Sequence, residues 1–80
     1  MKYNYTTSGT CSRAIEFEID GDGRVHNVTF VGGCNGNLKG IGALVEGLPV
    51  AEVVSRLEGI RCGVKSTSCP DQLACALKQV

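Results

Sequence analysis

Apolar and polar positions alternate without a break from Ala14 to Asp20. Ile15, Phe17 and Ile19 fall on one side, and Glu16, Glu18 and Asp20 on the other. A period of two predicts a half-buried strand with a solvated acidic face. Gly21-Asp22-Gly23 then supplies a tight hairpin turn from residues that tolerate positive φ. Arg24 to Val31 returns as a second long strand. Its apolar set, Val25, Val28 and Phe30, slips phase between Val25 and Val28, which predicts a bulge near His26-Asn27. Ahead of this hairpin, Tyr3 to Thr6 has the residues of a short third strand, and a turn at Ser8-Gly9-Thr10 delivers Cys11.

Beyond Gly32 the period lengthens. Leu38, Ile41, Leu44 and Val45 recur at helical spacing, with Gly47 as the C-terminal stop. Gly40 and Gly42 weaken this helix on propensity and are expected to permit close packing against the sheet or a site. Pro49 opens a second helix with Val50, Val53, Val54 and Leu57 as its buried stripe. Gly59 ends that helix, and Ile60 is expected to pack back onto it. A third helix begins in Ser66-Thr67-Ser68-Cys69-Pro70-Asp71-Gln72-Leu73. There Ser68 is the N-cap, Asp71 completes a capping-box-like pair, and Pro70 is tolerated because its missing amide would lack a partner anyway. Cys69, Leu73, Ala76, Leu77 and Val80 share one face of it, while Cys75 projects about 240° around from Cys69. The expected fold is a single α+β domain over residues 1–80. Two long strands in a hairpin and a short third form an antiparallel sheet, covered on one face by about three helices.

Composition adds limits. Eighty residues is near the size at which a hydrophobic core alone is marginally sufficient. With 42% apolar and 20% charged residues the chain reads as globular, not disordered. Formal net charge is zero and the basic residues are scattered, so no nucleic-acid partner is expected. The start, Met1 to Thr7, lacks the apolar core of a signal peptide, and no stretch is long enough to span a bilayer. The expectation is therefore a cytoplasmic protein with no membrane partner. In a reducing compartment, five cysteines in so short a chain point to ligands or reactive thiols before a disulfide frame.

Cys69 lies in the first turn of a helix, where unpaired N–H groups and the positive helix end favour a thiolate. A thiolate binds metals and attacks electrophiles. The plainer alternative is a small buried residue in a helix cap, since cysteine is among the most buried residue types. Cys34 sits in Gly32-Gly33-Cys34-Asn35-Gly36-Asn37, a corner able to fold closely around a ligand or to serve as an ordinary strand-to-helix loop. Cys11, Cys34, Cys62 and Cys69 each fall at the end of an element or in a loop. If those loops converge at one end of the sheet, four thiolates would suit tetrahedral zinc or an iron–sulfur cluster. No C-x-x-C pair, the strong signature of a metal knuckle, is present. Six residues separate Cys62 from Cys69, which would also allow a redox pair with Cys69 as nucleophile and Cys62 as resolver. His26 is a further candidate ligand, against a solvent-facing or capped strand residue, and Cys75 is the odd cysteine out. No Ser-His-Asp, paired-carboxylate or nucleotide-binding constellation stands out.

Thr67-Ser68-Cys69-Pro70-Asp71 spells the motif for which the TSCPD domain family is named. Cys11-Ser12-Arg13, Gly33-Cys34-Asn35-Gly36-Asn37 and Gly59-Ile60-Arg61-Cys62-Gly63 resemble its other signature segments, so the resemblance covers about Tyr3 to Leu77. It implies a relative of the C-terminal domain of adenosylcobalamin-dependent ribonucleoside-diphosphate reductases, an oxidoreductase connection. Eighty residues cannot hold a reductase's catalytic barrel, so the resemblance implies an accessory or a relative of a reductase. Taken with the cysteine positions, the expectation is a metal-binding accessory module with a ribonucleotide reductase or another protein as partner. A fainter architectural likeness is to iron–sulfur scaffolds of the IscU/NifU type, in which Cys34 and Cys69 would match two ligands. The scaffold's cysteine in the hairpin turn is replaced here by Gly21-Asp22-Gly23, and the histidine before its last cysteine by Ser68, so Cys11 and Cys62 would have to stand in. A modest core with two glycine-rich corners is also compatible with a homodimer.

Overall fold

Three strands are followed by three helices: β1 (Lys2–Thr6), β2 (Ser12–Ile19), β3 (Val25–Gly32), α1 (Asn35–Val45), α2 (Val50–Leu57) and α3 (Cys69–Lys78). They are seen in a computed structural model that describes residues 2–7, 12–32, 35–61, 63 and 67–79. The strands form one antiparallel sheet in the order β1-β2-β3. The expected α+β architecture is therefore observed. The turn at Ser8-Gly9-Thr10 lies outside the described residues.

The alternation in β2 sets the layers. Ile15 and Phe17 are buried on the helix side, with Tyr5 and Tyr3 opposite them on β1 and Phe30 opposite Ile15 on β3. Tyr3 stacks on Phe17, with ring centroids 5.4 Å apart. The core joins Ile15, Phe17 and Val25 of the sheet to Val45, Val53, Leu73, Ala76 and Leu77 of the helices. In the hairpin turn Asp20 Oδ1 accepts the N–H groups of Asp22 (2.9 Å) and Arg24 (3.0 Å), and Gly23 takes the left-handed backbone at φ 76°.

The expected bulge is present. Glu16 faces Thr29 but Glu18 faces His26, so β3 fits an extra residue there, and Asn27 adopts φ 54° to make room for it. A second irregularity lies where β2 passes from Ser12, opposite Gly32, to Ala14, opposite Val31.

The helices follow their apolar stripes with two corrections. Leu44, expected on the α1 stripe, is 79% exposed. At 100° per residue, Leu38, Gly42 and Val45 cluster within about 60° of arc, whereas Leu44 lies about 130° from its centre. The narrow arc follows from the close approach of α1 to β3. A Cβ on Gly42 would stand 2.9 Å from the Val28 carbonyl oxygen, while one on Gly40 would meet nothing within 4 Å. Close packing is thus the role of Gly42, not of Gly40. In α2 Val53 is fully buried, and Val50, Val54 and Leu57 pack against the core as expected. Gly59 ends the turn with φ 84°, but Ile60 is 43% exposed and does not pack back. Its carbonyl is the part that is used, as described below. In α3 Cys69, Leu73, Ala76 and Leu77 are buried along one seam, with Gln72 and Ala74 widening it; Val80 lies outside the described residues. Among the described residues no helix is long and apolar enough to cross a membrane.

Gly42→Ala should lower stability by about 1–2 kcal/mol, because the overpacking against Val28 exceeds the gain in helix propensity. Gly40→Ala should raise it by up to about 1 kcal/mol. Thermal melts of the two variants check the pair; equal shifts would contradict the close approach.

Candidate functional site

The start of α3 carries a polar network whose Thr67, Ser68 and Gln72 side chains are buried. Ser68 is extended (φ −149°, ψ 170°), and its Oγ accepts the Asp71 N–H at 3.1 Å, the N-cap bond. The same hydroxyl donates to the Ile60 carbonyl at 2.6 Å. Asp71 does not complete the capping box by returning to the Ser68 amide. Its side chain is one methylene shorter than the glutamate that usually does so, and it turns outward to other donors. Oδ1 accepts the Gly59 N–H at 2.7 Å, and Oδ2 accepts the Thr67 hydroxyl. Thr67 Oγ1 in turn accepts from Gln72 Nε2 at 3.1 Å. Thr67, Ser68 and Gln72 are all buried, and among the described residues every buried side-chain nitrogen and oxygen has a partner. The Thr67 hydroxyl, followed by the Gly59 N–H, holds the Asp71 carboxyl below its ordinary pKa, so the clasp is made by a carboxylate.

Cys69 is the first residue of α3 and is 7% exposed. Ser68 caps the helix before it, Pro70 follows it, and Leu73 packs fully buried one turn on. Its side chain lies with the core-facing seam, whereas Cys75 is half-buried on another face, as the helix phase predicts. Cys11, Cys34 and Cys62 lie outside the described residues, so of the four proposed ligands Cys69 is the one whose surroundings are known.

His26 is a clamp. Its Nε2 is 2.7 Å from Asp20 Oδ2, and its Nδ1 bonds Glu46 Oε2. Glu46 Oε1 also accepts the Asn27 N–H at 2.9 Å, the Asn27 amide donates to Glu18 Oε2 at 2.8 Å, and Arg24 Nη1 donates to the Gly47 carbonyl at 2.8 Å. Hairpin and α1–α2 corner are thereby tied together. With both ring nitrogens engaged by carboxylates, His26 matches the capped alternative better than the ligand one. Among the described residues no three His, Cys, Asp or Glu side chains are grouped so as to hold a metal ion.

The bond from Asp71 to Gly59 and the two partners of His26 were not apparent from the sequence. The residue types were visible, but the partners are 12, 6 and 20 positions away. A histidine six residues after an aspartate that closes a hairpin was the one local hint.

A family model described as the TSCPD domain matches residues 1–80, the whole chain. No curated protein matches it, and no solved structure does.

Ser68→Ala removes both the cap and the tie to Ile60, and should cost about 1–2 kcal/mol in denaturant unfolding; an unchanged midpoint would contradict the clasp. For the clamp, the Asp20 bond, then the Glu46 bond, raise the His26 pKa; the Arg24 N–H, followed by His26, lowers that of Asp20, and the Asn27 N–H, followed by His26, lowers that of Glu46. A raised histidine contributes fully below its unfolded value near 6.5, and that contribution is lost as pH climbs through the folded value. Lowered carboxylates contribute above about pH 4.5 and lose their effect as pH falls through their folded values. The clamp should therefore hold best between about pH 4.5 and 6.5. His26→Gln should flatten the decline in melting temperature from pH 6 to 8; parallel profiles would count against the clamp.

Proposed function

Because the chain belongs to the TSCPD domain family along its whole length, we propose that it is a cysteine-based metal-binding accessory module related to ribonucleotide reduction. Cys11, Cys34, Cys62 and Cys69 are its ligands, and a ribonucleotide reductase or another protein is its partner. The observation that carries this reading is the way the family's own motif is used. Thr67, Ser68 and Asp71 build the clasp, and the clasp fixes the backbone on which Cys69 stands. A ligand needs that kind of fixed, water-poor position.

Four thiolates fit tetrahedral zinc or an iron–sulfur cluster. Zinc would supply cross-linking of the loops without redox chemistry; a cluster would supply electron transfer. Cys69 at the head of α3 is favoured as a thiolate by the helix end, which suits either. The competing reading, a thiol relay with Cys69 as nucleophile and Cys62 as resolver, fits less well. Reactive cysteines are partly exposed, and Cys69 is 7% exposed.

Anaerobically purified protein should contain about one equivalent of zinc or a cluster by elemental analysis, a cluster showing a visible absorption band that reductant bleaches. Ser replacements at Cys11, Cys34, Cys62 or Cys69 should each lose the metal and lower the melting temperature, whereas Cys75→Ser should do neither. Metal-free, folded protein whose four variants melt like the parent would overturn the reading. Rapid alkylation of Cys69 near neutral pH would favour the relay instead.

A further inference from the structure

The two edges of the sheet are treated differently. On β3 the Asn27 bulge breaks the regular ladder, and α1 lies against it with Gly42 at the Val28 carbonyl. These are the devices by which proteins keep an edge from pairing with another chain. On β1, among the described residues, there is neither a bulge nor a covering helix. Its pairing with β2 runs through five consecutive positions without a shift, and it contains no proline and one charge, Lys2 at its end.

The phase of that edge follows from the ladder. Bonded and non-bonded pairs alternate along an antiparallel pair, and the Thr7 N–H donates to the Arg13 carbonyl at 3.1 Å. Thr7, Tyr5 and Tyr3 therefore direct their backbone groups at β2. Lys2, Asn4 and Thr6 direct theirs to the outside, where among the described residues no strand lies and all three side chains are exposed.

We infer that β1 is a self-pairing edge, and that two copies of this chain join antiparallel strands β1 about a two-fold axis at Asn4 to make a continuous six-stranded sheet. The strand's sequence is self-complementary in that register. Asn4 faces Asn4 of the second copy, Lys2 faces Thr6, and Tyr3 faces Tyr5. The three outward-facing residues of each strand would then exchange about six backbone bonds. No like charges meet, since the two Lys2 residues sit at opposite ends. On the core side Tyr3 and Tyr5, each half-buried at the margin of the core, would extend it as aromatic cross-strand pairs, a favoured combination. This pairing is independent of the metal reading and uses no cysteine.

Sedimentation equilibrium under reducing conditions, into the submillimolar range, tests it. The expected result is a reversible monomer–dimer equilibrium. Asn4→Pro removes the outward N–H at the two-fold without touching a bond to β2, a substitution edge strands tolerate. It should raise the dimer Kd roughly thirtyfold or more, the effect of two net hydrogen bonds, while the circular dichroism of the monomer stays unchanged. Should that variant fail to fold, Asn4→Lys serves instead. It sets two ammonium groups against each other across the axis and should give a weaker dimer that recovers with salt. A chain monomeric throughout overturns the inference, as does a dimer that neither variant weakens.

Discussion

The carboxylate of Asp71 is the group on which the second half of the molecule depends. It accepts from the backbone of Gly59, at the end of α2, and from the hydroxyl of Thr67, just before α3. Gly59 has φ 84°, a conformation that a side chain would oppose, so the turn closing α2 also offers the N–H that Asp71 receives. Ser68 adds a second tie, from its hydroxyl to Ile60. With both made, the end of one helix and the start of the next are held together, and Val53, Leu73, Ala76 and Leu77 meet in one core. Glu58 and Lys78 extend the contact as an exposed ion pair, a minor contribution by comparison.

The first half is held by a related device with a different chemistry. The bulge at Asn27 presents a backbone N–H to Glu46, and the same carboxylate grips His26, which Asp20 holds from the turn. A strand irregularity thus becomes an anchor for the corner between α1 and α2. Gly42 lets α1 lie closely enough on β3 for that anchor to reach. In each half one acidic side chain bridges a special backbone conformation to a neighbouring element.

Local regularities carried most of the fold. The alternation of Ile15, Phe17 and Ile19, the phase slip after Val25, the apolar stripe of α2 and the cap at Ser68 were all legible, because each depends on near neighbours. Leu44 misled because apolar spacing alone does not say how narrow a contact is. The deciding residue was Gly42, which no hydrophobic pattern registers. Ile60 misled because its carbonyl, not its side chain, was recruited. Asp71 was read as a helix-cap residue, and its longer bonds were invisible because Gly59 is brought to it by packing. The four-cysteine constellation was legible as positions along the chain. Its convergence is a tertiary matter, and three of its members lie outside the described residues.

In this chain the Thr67–Asp71 motif is therefore first a structural device: its polar residues make a clasp, and Cys69 stands on what the clasp holds. The metal reading rests on that order of dependence. Amide hydrogen exchange at Gly59 tests it most directly, since this N–H belongs to an exposed turn and has Asp71 Oδ1 as its acceptor. The account predicts clear protection in the parent chain and its loss in Asp71→Ala, with the amides of β2 and β3 unchanged. A Gly59 amide that exchanges as fast as an unstructured loop in the parent chain would contradict it.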